Sequence, residues 1–248
     1  MRRVLVFGAS SAIAAEVIGL WAARGDLLHL VARDPLKLAA VAARCHGAVG
    51  VSTAVADLCD LGRAADLVAD GVAALGGGVD LVLVAHGELG DQQRSEHDFA
   101  EADRILRTNL TSVIALLVPV ANQLESQRSG ALAVMTSVAG ERGRPRNYTY
   151  GAAKGALNLY LQGLRSRLYP AGVQVTTLKL GPVDTPMTAT HAKNALFASP
   201  TRVARDIARA IDRGAGEVFV PWYWALVMAV VRGTPEPLFQ RLRALSGR

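Results

Sequence analysis

Seven short apolar runs separated by longer amphipathic segments constrain this chain more than any other feature. Val4 to Phe7, Leu27 to Ala32, Val49 to Val55, Val79 to Ala85, Ala131 to Thr136, Val173 to Leu180 and Glu217 to Val220 are each four to eight residues long. Runs of that length without polar alternation fit strands covered on both faces, as in a parallel sheet between two helix layers. The intervening segments supply the helices: Ser11 to Arg24, Pro35 to Arg44, Leu61 to Leu75, Phe99 to Gln127, Thr149 to Tyr169 and Pro200 to Arg213. Pro35 after Asp34 and Thr201 after Pro200 mark helix starts. The repeated strand, helix, strand order predicts an α/β fold: a Rossmann-type doubly wound, seven-stranded parallel sheet with helices on both faces.

Residues 1 to 220 read as one Rossmann-fold domain, and 221 to 248 as an apolar, basic C-terminal extension packed on it or at a membrane or subunit interface. Hydrophobic residues make up 51% of the chain and charged residues 19%, which supplies a core and excludes a disordered chain. The net charge of +6 comes from 23 arginines and 4 lysines that are scattered and not interleaved with aromatics, so nucleic acid is not an expected partner. An anionic cofactor, substrate or membrane surface accounts for the excess equally well. Cys45 and Cys59 suit neither a disulfide framework nor zinc, and no metal site is expected. The apolar run behind Arg2 and Arg3 is too short for a signal peptide, which predicts a cytoplasmic protein, with membrane association left open by the tail.

The first strand runs into Gly8, Ala9, Ser10, Ser11, Ala12, Ile13 and Ala14, a turn whose backbone amides can receive a pyrophosphate at a helix start. The second strand ends in Ala32, Arg33 and Asp34. An acid at the strand's end suits the ribose of NAD, whereas an arginine suits the 2′-phosphate of NADP. Arg33 therefore favours NADP, with NAD as the alternative. Tyr150-Gly151-Ala152-Ala153-Lys154 places a phenol and an ammonium one helical turn apart on one face. A cation beside the phenol is expected to lower its pKa towards the range of a general acid or base.

With these residues in place, the chain resembles the short-chain dehydrogenase/reductase family over residues 2 to 220. Asp57-Leu58 resembles the family's adenine-contacting acid and its neighbour, and Asn109-Leu110 the asparagine of the helix after strand four. Ser137, thirteen residues before Tyr150, matches the catalytic serine. Gly181-Pro182 with Val183 and Thr185 matches the loop that contacts the nicotinamide end of the cofactor. The resemblance implies a catalytic set of Asn109, Ser137, Tyr150 and Lys154. Tyr150 would protonate the carbonyl oxygen, Ser137 would orient it, Lys154 would bind the nicotinamide ribose, and Asn109 would hold a water of the proton path.

The sequence also departs from the family pattern. Ala12 and Ala14 stand where the family has glycines, and Val84-Ala85-His86-Gly87 replaces Asn-Asn-Ala-Gly. Ala12 is expected to crowd the pyrophosphate. His86 either faces the cofactor pocket or packs against loop backbone; it is expected among the cofactor neighbours, with no catalytic role. The segment Ala85 to Gln92, with the apolar tail, is similar to reductases of polyprenyl-phosphate-linked keto-sugars, which implies a lipid-linked carbonyl or alcohol substrate as the alternative to a free small molecule. A further alternative is a non-catalytic dinucleotide-binding regulator.

Residues 186 to 199, including Met187, His191 and Phe197, are expected to form a mobile substrate lid. Within residues 221 to 248, ten consecutive apolar residues are too few to span a bilayer. They fit an interfacial helix or a segment buried under a loop or partner. The resemblance further implies a homo-dimer or homo-tetramer through the 99–127 and 149–169 helices.

Overall fold

A computed structural model describes residues 1–189 and 192–242. Strands β1 (Arg3–Phe7), β2 (Leu27–Ala32), β3 (Gly50–Val55), β4 (Leu81–Val84), β5 (Ala131–Ser137), β6 (Gln174–Leu180) and β7 (Glu217–Val220) form one sheet in the order β3-β2-β1-β4-β5-β6-β7. Every pairing is parallel. The strand order reverses between β1 and β4, which opens a crevice at their C-terminal ends.

Two helix layers cover the sheet. Helices α1 (Ala12–Ala22) and α2 (Pro35–Ala43) lie on one face, and α3 (Ala64–Ala74) lies on the other. The short helix α4 (Gln92–Ser95) follows β4 and leads into α5 (Phe99–Leu106), which continues through a π turn (Arg107–Thr111) into α6 (Ser112–Gln127). Helix α6 and α7 (Tyr148–Leu168) join α3, while α8 (Pro200–Asp212) packs beside α1.

The apolar runs are explained by this sandwich. In β1, Val4 and Val6 enter the core under α1 and α8, whereas Leu5 and Phe7 enter the core under α3, α6 and α7. Each such side chain, fully withdrawn from water, contributes about 1.5–3 kcal/mol. One strand departs from expectation: β3 is an edge strand with alternating exposure, and Val51 and Val55 face solvent. The Phe99–Gln127 helix is long and apolar enough to cross a membrane by length and composition. Its apolar residues Val113, Leu116, Leu117, Val120 and Leu124 are nevertheless core of this sheet.

Helix boundaries follow cap chemistry. Asp34 caps α2 by accepting the amides of Leu36 at 3.0 Å and Lys37 at 3.1 Å. At α8 the cap is Ser199, whose hydroxyl accepts from the Arg202 amide, so Pro200 rather than Thr201 opens the helix. The expected Leu61 to Leu75 helix begins as a 3₁₀ turn, Leu61–Arg63.

The C-terminal extension folds back as α9 (Trp224–Gly233) and α10 (Glu236–Arg241). Trp224, Met228, Val231 and Phe239 pack on Val138 of the 3₁₀ turn Val138–Glu141, which directly follows Ser137. Arg142 fastens this arrangement: its guanidinium lies 3.8 Å over the Phe239 ring and donates to the carbonyls of Val231 and Thr234, both at 2.5 Å. Beneath it, buried Lys179 pairs with Glu141 at 2.7 Å and Glu217 at 2.5 Å, and Glu141 also meets Arg232 at 3.1 Å. The inner face of the extension is thus buried on the sheet domain. Its outer face leaves Trp222, Leu226 and Val230 exposed. Residues 243–248 of the expected extension lie outside the described residues.

Candidate active site

At the switch point, Gly8 leaves β1 with φ +80°, and its amide and that of Ala9 donate to the Val31 carbonyl at 2.9 and 3.0 Å. A side chain at Gly8 would stand 2.5 Å from the His86 backbone nitrogen, so only glycine lets this turn press against the end of β4. Ser10 and Ser11 follow, half-buried, and Ser11 occupies the N-cap of α1 without spending its side chain on a cap bond. The first-turn amides at Ala12 and Ile13 therefore remain available to an external acceptor. That donor set fits a pyrophosphate.

The segment after β4 is held by residues of the π turn. Ala85 is buried and extends the sheet by donating to the Phe7 carbonyl at 2.8 Å. Asn109, fully buried, donates to the carbonyls of Glu88 at 2.8 Å and Ile105 at 2.9 Å, and accepts the Glu88 amide at 3.1 Å. A side chain at Gly87 would lie 2.7 Å from Asn109 Oδ1 and 3.3 Å from Lys154 Nζ. Asn109 and Lys154 thus face the same space over Gly87.

His86 is placed by a short relay. Ser112 Oγ donates to the Thr108 carbonyl at 2.8 Å and lies 2.9 Å from His86 Nε2. With its hydrogen committed, Ser112 accepts, so Nε2 carries the imidazole proton and Nδ1 is a bare acceptor. Nδ1 is buried without a partner among the described residues. Burial, reinforced by the Lys154 charge, brings the His86 pKa down to about 3, with Asp57 opposing. The ring is neutral throughout the working range.

Ser137 ends β5, donating to the Leu180 carbonyl at 3.4 Å and accepting the Ala139 amide at 3.1 Å. Tyr150 and Lys154 stand one turn apart on α7, with Lys154 Nζ 5.8 Å from the centre of the Tyr150 ring and bonded to the Met135 carbonyl at 3.3 Å. Lysine, serine and tyrosine converge as expected. The electrostatics differ from expectation: burial pushes the Tyr150 phenol up to about 12, opposed only by a hydrogen bond with Ser137. Lys154, turned towards Met135, does not lower it, and burial brings Lys154 itself down to about 8.

The other predicted residues ring this centre. Arg33 is exposed at the end of β2 and makes no hydrogen bond or ion pair among the described residues. Asp57 is exposed and accepts the Cys59 amide at 3.0 Å, beside buried Leu58. After β6, the Pro182 carbonyl accepts from Ala198 at 3.1 Å and buried Val183 bridges to Ala198, so this loop is paired with the far end of the expected lid. Thr185 precedes a 3₁₀ turn, Pro186–Thr188. Met187 is exposed and Phe197 half-buried, whereas His191 lies outside the described residues. No group of three or more potential metal ligands occurs among the described residues.

Two contributors were missed by sequence reasoning. Ser112, three positions after Asn109, fixes the His86 tautomer, and Glu88 offers its backbone to Asn109. Only the i, i+3 spacing of Asn109 and Ser112 hinted at the first. Backbone partners leave no mark in side-chain identity.

A parallel sheet whose switch point presents free helix-start amides, with a polar cluster at the adjoining strand ends, defines a doubly wound, dinucleotide-binding α/β protein. The family model described as short chain dehydrogenase matches residues 2–195, and the chain belongs to that family. It is an oxidoreductase of a family that binds a nicotinamide dinucleotide. The chain is 36% identical to an uncharacterized oxidoreductase of Streptomyces coelicolor, over 97% of this chain and 96% of that protein. It is also 36% identical to an uncharacterized oxidoreductase of Mycobacterium tuberculosis, over 96% of both. A solved short chain dehydrogenase/reductase family protein superposes with TM-score 0.77 at 25% identity, covering 87% of this chain and 94% of that one. Levodione reductase superposes with TM-score 0.79 at 23% identity, covering 88% and 95%, a likeness of fold alone.

Proposed function

We propose that this oxidoreductase interconverts a ketone and a secondary alcohol with NADP(H), with Tyr150 as general acid and base. The convergence of Asn109 and Lys154 over Gly87, beside the Ser137–Tyr150 hydrogen bond, carries this reading. The bound nicotinamide supplies or accepts the hydride at the substrate carbon. Tyr150, protonated at neutral pH by its raised pKa, gives its proton to the carbonyl oxygen in reduction and recovers it in oxidation. Ser137 orients that oxygen, Lys154 receives a ribose hydroxyl, and Asn109 holds the water that returns a proton to Tyr150.

NADP is favoured over NAD by how β2 ends. Asp34 is engaged in capping α2 and in pairing with Lys37, while the neighbouring Arg33 is exposed and uncommitted. The test is a nicotinamide-fluorescence titration with NADPH and with NADH, followed by a ketone panel. NADPH should bind tighter, Arg33→Ala should erase that preference, and Tyr150→Phe should bind cofactor without turnover. Binding of neither nucleotide defeats the reading. Binding with a function insensitive to Tyr150→Phe would leave a dinucleotide-binding regulator.

The outer face of α9 favours a second reading, a lipid-linked carbonyl substrate met at a membrane surface. Trp222, Leu226 and Val230 are exposed together, with Arg232 at the end of the helix. Flotation with vesicles containing anionic lipid should carry the wild-type chain and leave Leu226→Glu/Val230→Glu behind. The outer faces of α6 and α7 likewise support a homo-dimer or homo-tetramer, since Val118 and Leu159 are exposed there.

A further inference from the structure

The loop between Ser137 and Tyr150 carries three arginines with three different fates. Arg142 is consumed in fastening α9 and α10. Arg146 is exposed and forms no ion pair among the described residues. Arg144 is buried, only 8% exposed, and its sole hydrogen-bond acceptor is the thioether of Met228 at 3.4 Å. Its Nε is buried without a partner, and no carboxylate pairs with it among the described residues.

A guanidinium offers five donors and keeps its charge at any working pH. Leaving such a charge dry and unpaired costs several kcal/mol, so buried charges are ordinarily matched by an opposite one. A second orphan donor lies nearby. Trp224 stands one helical turn before Met228 on the same inner face of α9, and its indole Nε1 is also buried without a partner. That nitrogen abuts Gly181, where a side chain would come within hydrogen-bonding range of it. Gly181 opens the loop after β6, beside the Ser137 end of β5. This corner of the site is therefore rich in donors, poor in acceptors and positively charged. Glu141, the nearby acid in sequence, is turned to Lys179 and Arg232.

We propose that Arg144, assisted by Arg146 at the mouth and by Trp224 Nε1, is an anion-recognition subsite for the substrate, so that the ketone or alcohol carries a phosphate or carboxylate group. This deepens the catalytic reading above and takes from it the position of the reacting oxygen at Tyr150 and Ser137. The planar fork of Arg144 suits either oxyanion by paired hydrogen bonds.

The experiment titrates inorganic phosphate, and separately acetate, into the full chain by calorimetry and by thermal unfolding, first saturated with NADPH and then alone. Saturation removes the pyrophosphate-binding turn and Arg33 as competing anion sites. Phosphate should raise the melting temperature of the wild type. Arg144→Met should weaken phosphate binding roughly tenfold or more, and Arg146→Gln by a smaller factor. Without anion, Arg144→Met should melt no lower than wild type, because an apolar isostere removes an uncompensated buried charge. If that variant does not fold, Arg144→Lys takes its place and should lose several-fold in affinity by losing the fork. Tighter binding of phosphate than acetate assigns a phosphate group, and the reverse a carboxylate. Unchanged binding in the Arg144 variants, or no binding of either anion by wild type, overturns the proposal. A chain that binds no dinucleotide fails the catalytic reading instead, while the Arg144 dependence of phosphate binding is still read on the protein alone.

Discussion

Asn109 and Glu88 exchange two hydrogen bonds, side-chain amide against backbone: Nδ2 donates to the Glu88 carbonyl and Oδ1 accepts the Glu88 amide. The pairing behaves like one rung of a sheet ladder supplied by a side chain, and it ties the segment after β4 to the π turn. Asn109→Ala would strand the buried amide and carbonyl it serves, at about 2–4 kcal/mol by the usual penalty for unmet groups. Urea unfolding should show that loss, and a drop under about 0.5 kcal/mol, the scale of an ordinary surface change, would contradict the clamp.

The titration of Lys154 sets a pH dependence of stability. Its folded pKa, about 8, lies below the ordinary 10.5, so between these values the unfolded chain holds more protons. Stability therefore rises with pH through that window, by a few kcal/mol at most. Tyr150 acts in the opposite sense only above pH 10, where its folded pKa of about 12 exceeds the ordinary 10.0. Between pH 7.5 and 9.5, roughly the span of the Lys154 titration, wild type should gain stability that Lys154→Met does not. Equal pH slopes for the two would contradict the dry placement of the ammonium.

The Lys179–Glu141 pair is nearly sealed from water and also anchors Arg232 of α9. Removing one charge, as in Glu141→Gln, should destabilise by about 3–5 kcal/mol, whereas Glu141→Gln/Lys179→Met should recover much of it. A double-mutant cycle in urea measures the coupling, and additive losses would show that the pair is not a unit.

Leu159 on α7 is a large apolar side chain in open view, and so is Val118 on α6. If these helices form the subunit contact, Leu159→Glu should reduce the mass measured by light scattering to that of one chain while the far-ultraviolet spectrum is kept. An unchanged oligomer would place the contact elsewhere.

The sheet was legible because a strand covered on both faces needs apolar residues at successive positions, and β1 meets that need with Val4, Leu5, Val6 and Phe7. The edge strand β3 broke the same rule because nothing in its run announces that one face stays bare. The catalytic cluster was legible from residue type and spacing on α7. Its electrostatics were not, since an i, i+4 spacing fixes two stems on one face but leaves the ammonium free to turn to the Met135 carbonyl. Arg144 could be seen in the sequence among its arginine neighbours, but its lack of a counter-charge is a property of three-dimensional packing.

The π turn at Arg107–Thr111 has a bearing on how this chain can change length. It accommodates one more residue than a regular helix would, within the span Phe99–Gln127. Deleting a single residue there would leave an ordinary helix of good composition and would swing whatever follows by about 100°. Either Asn109 would leave Glu88, or Val113, Leu116 and Leu117 would leave the sheet. A gap tolerated almost anywhere in a surface loop would here set the core and the site against each other, so insertions and deletions should be absent from this stretch in any functioning descendant of the chain.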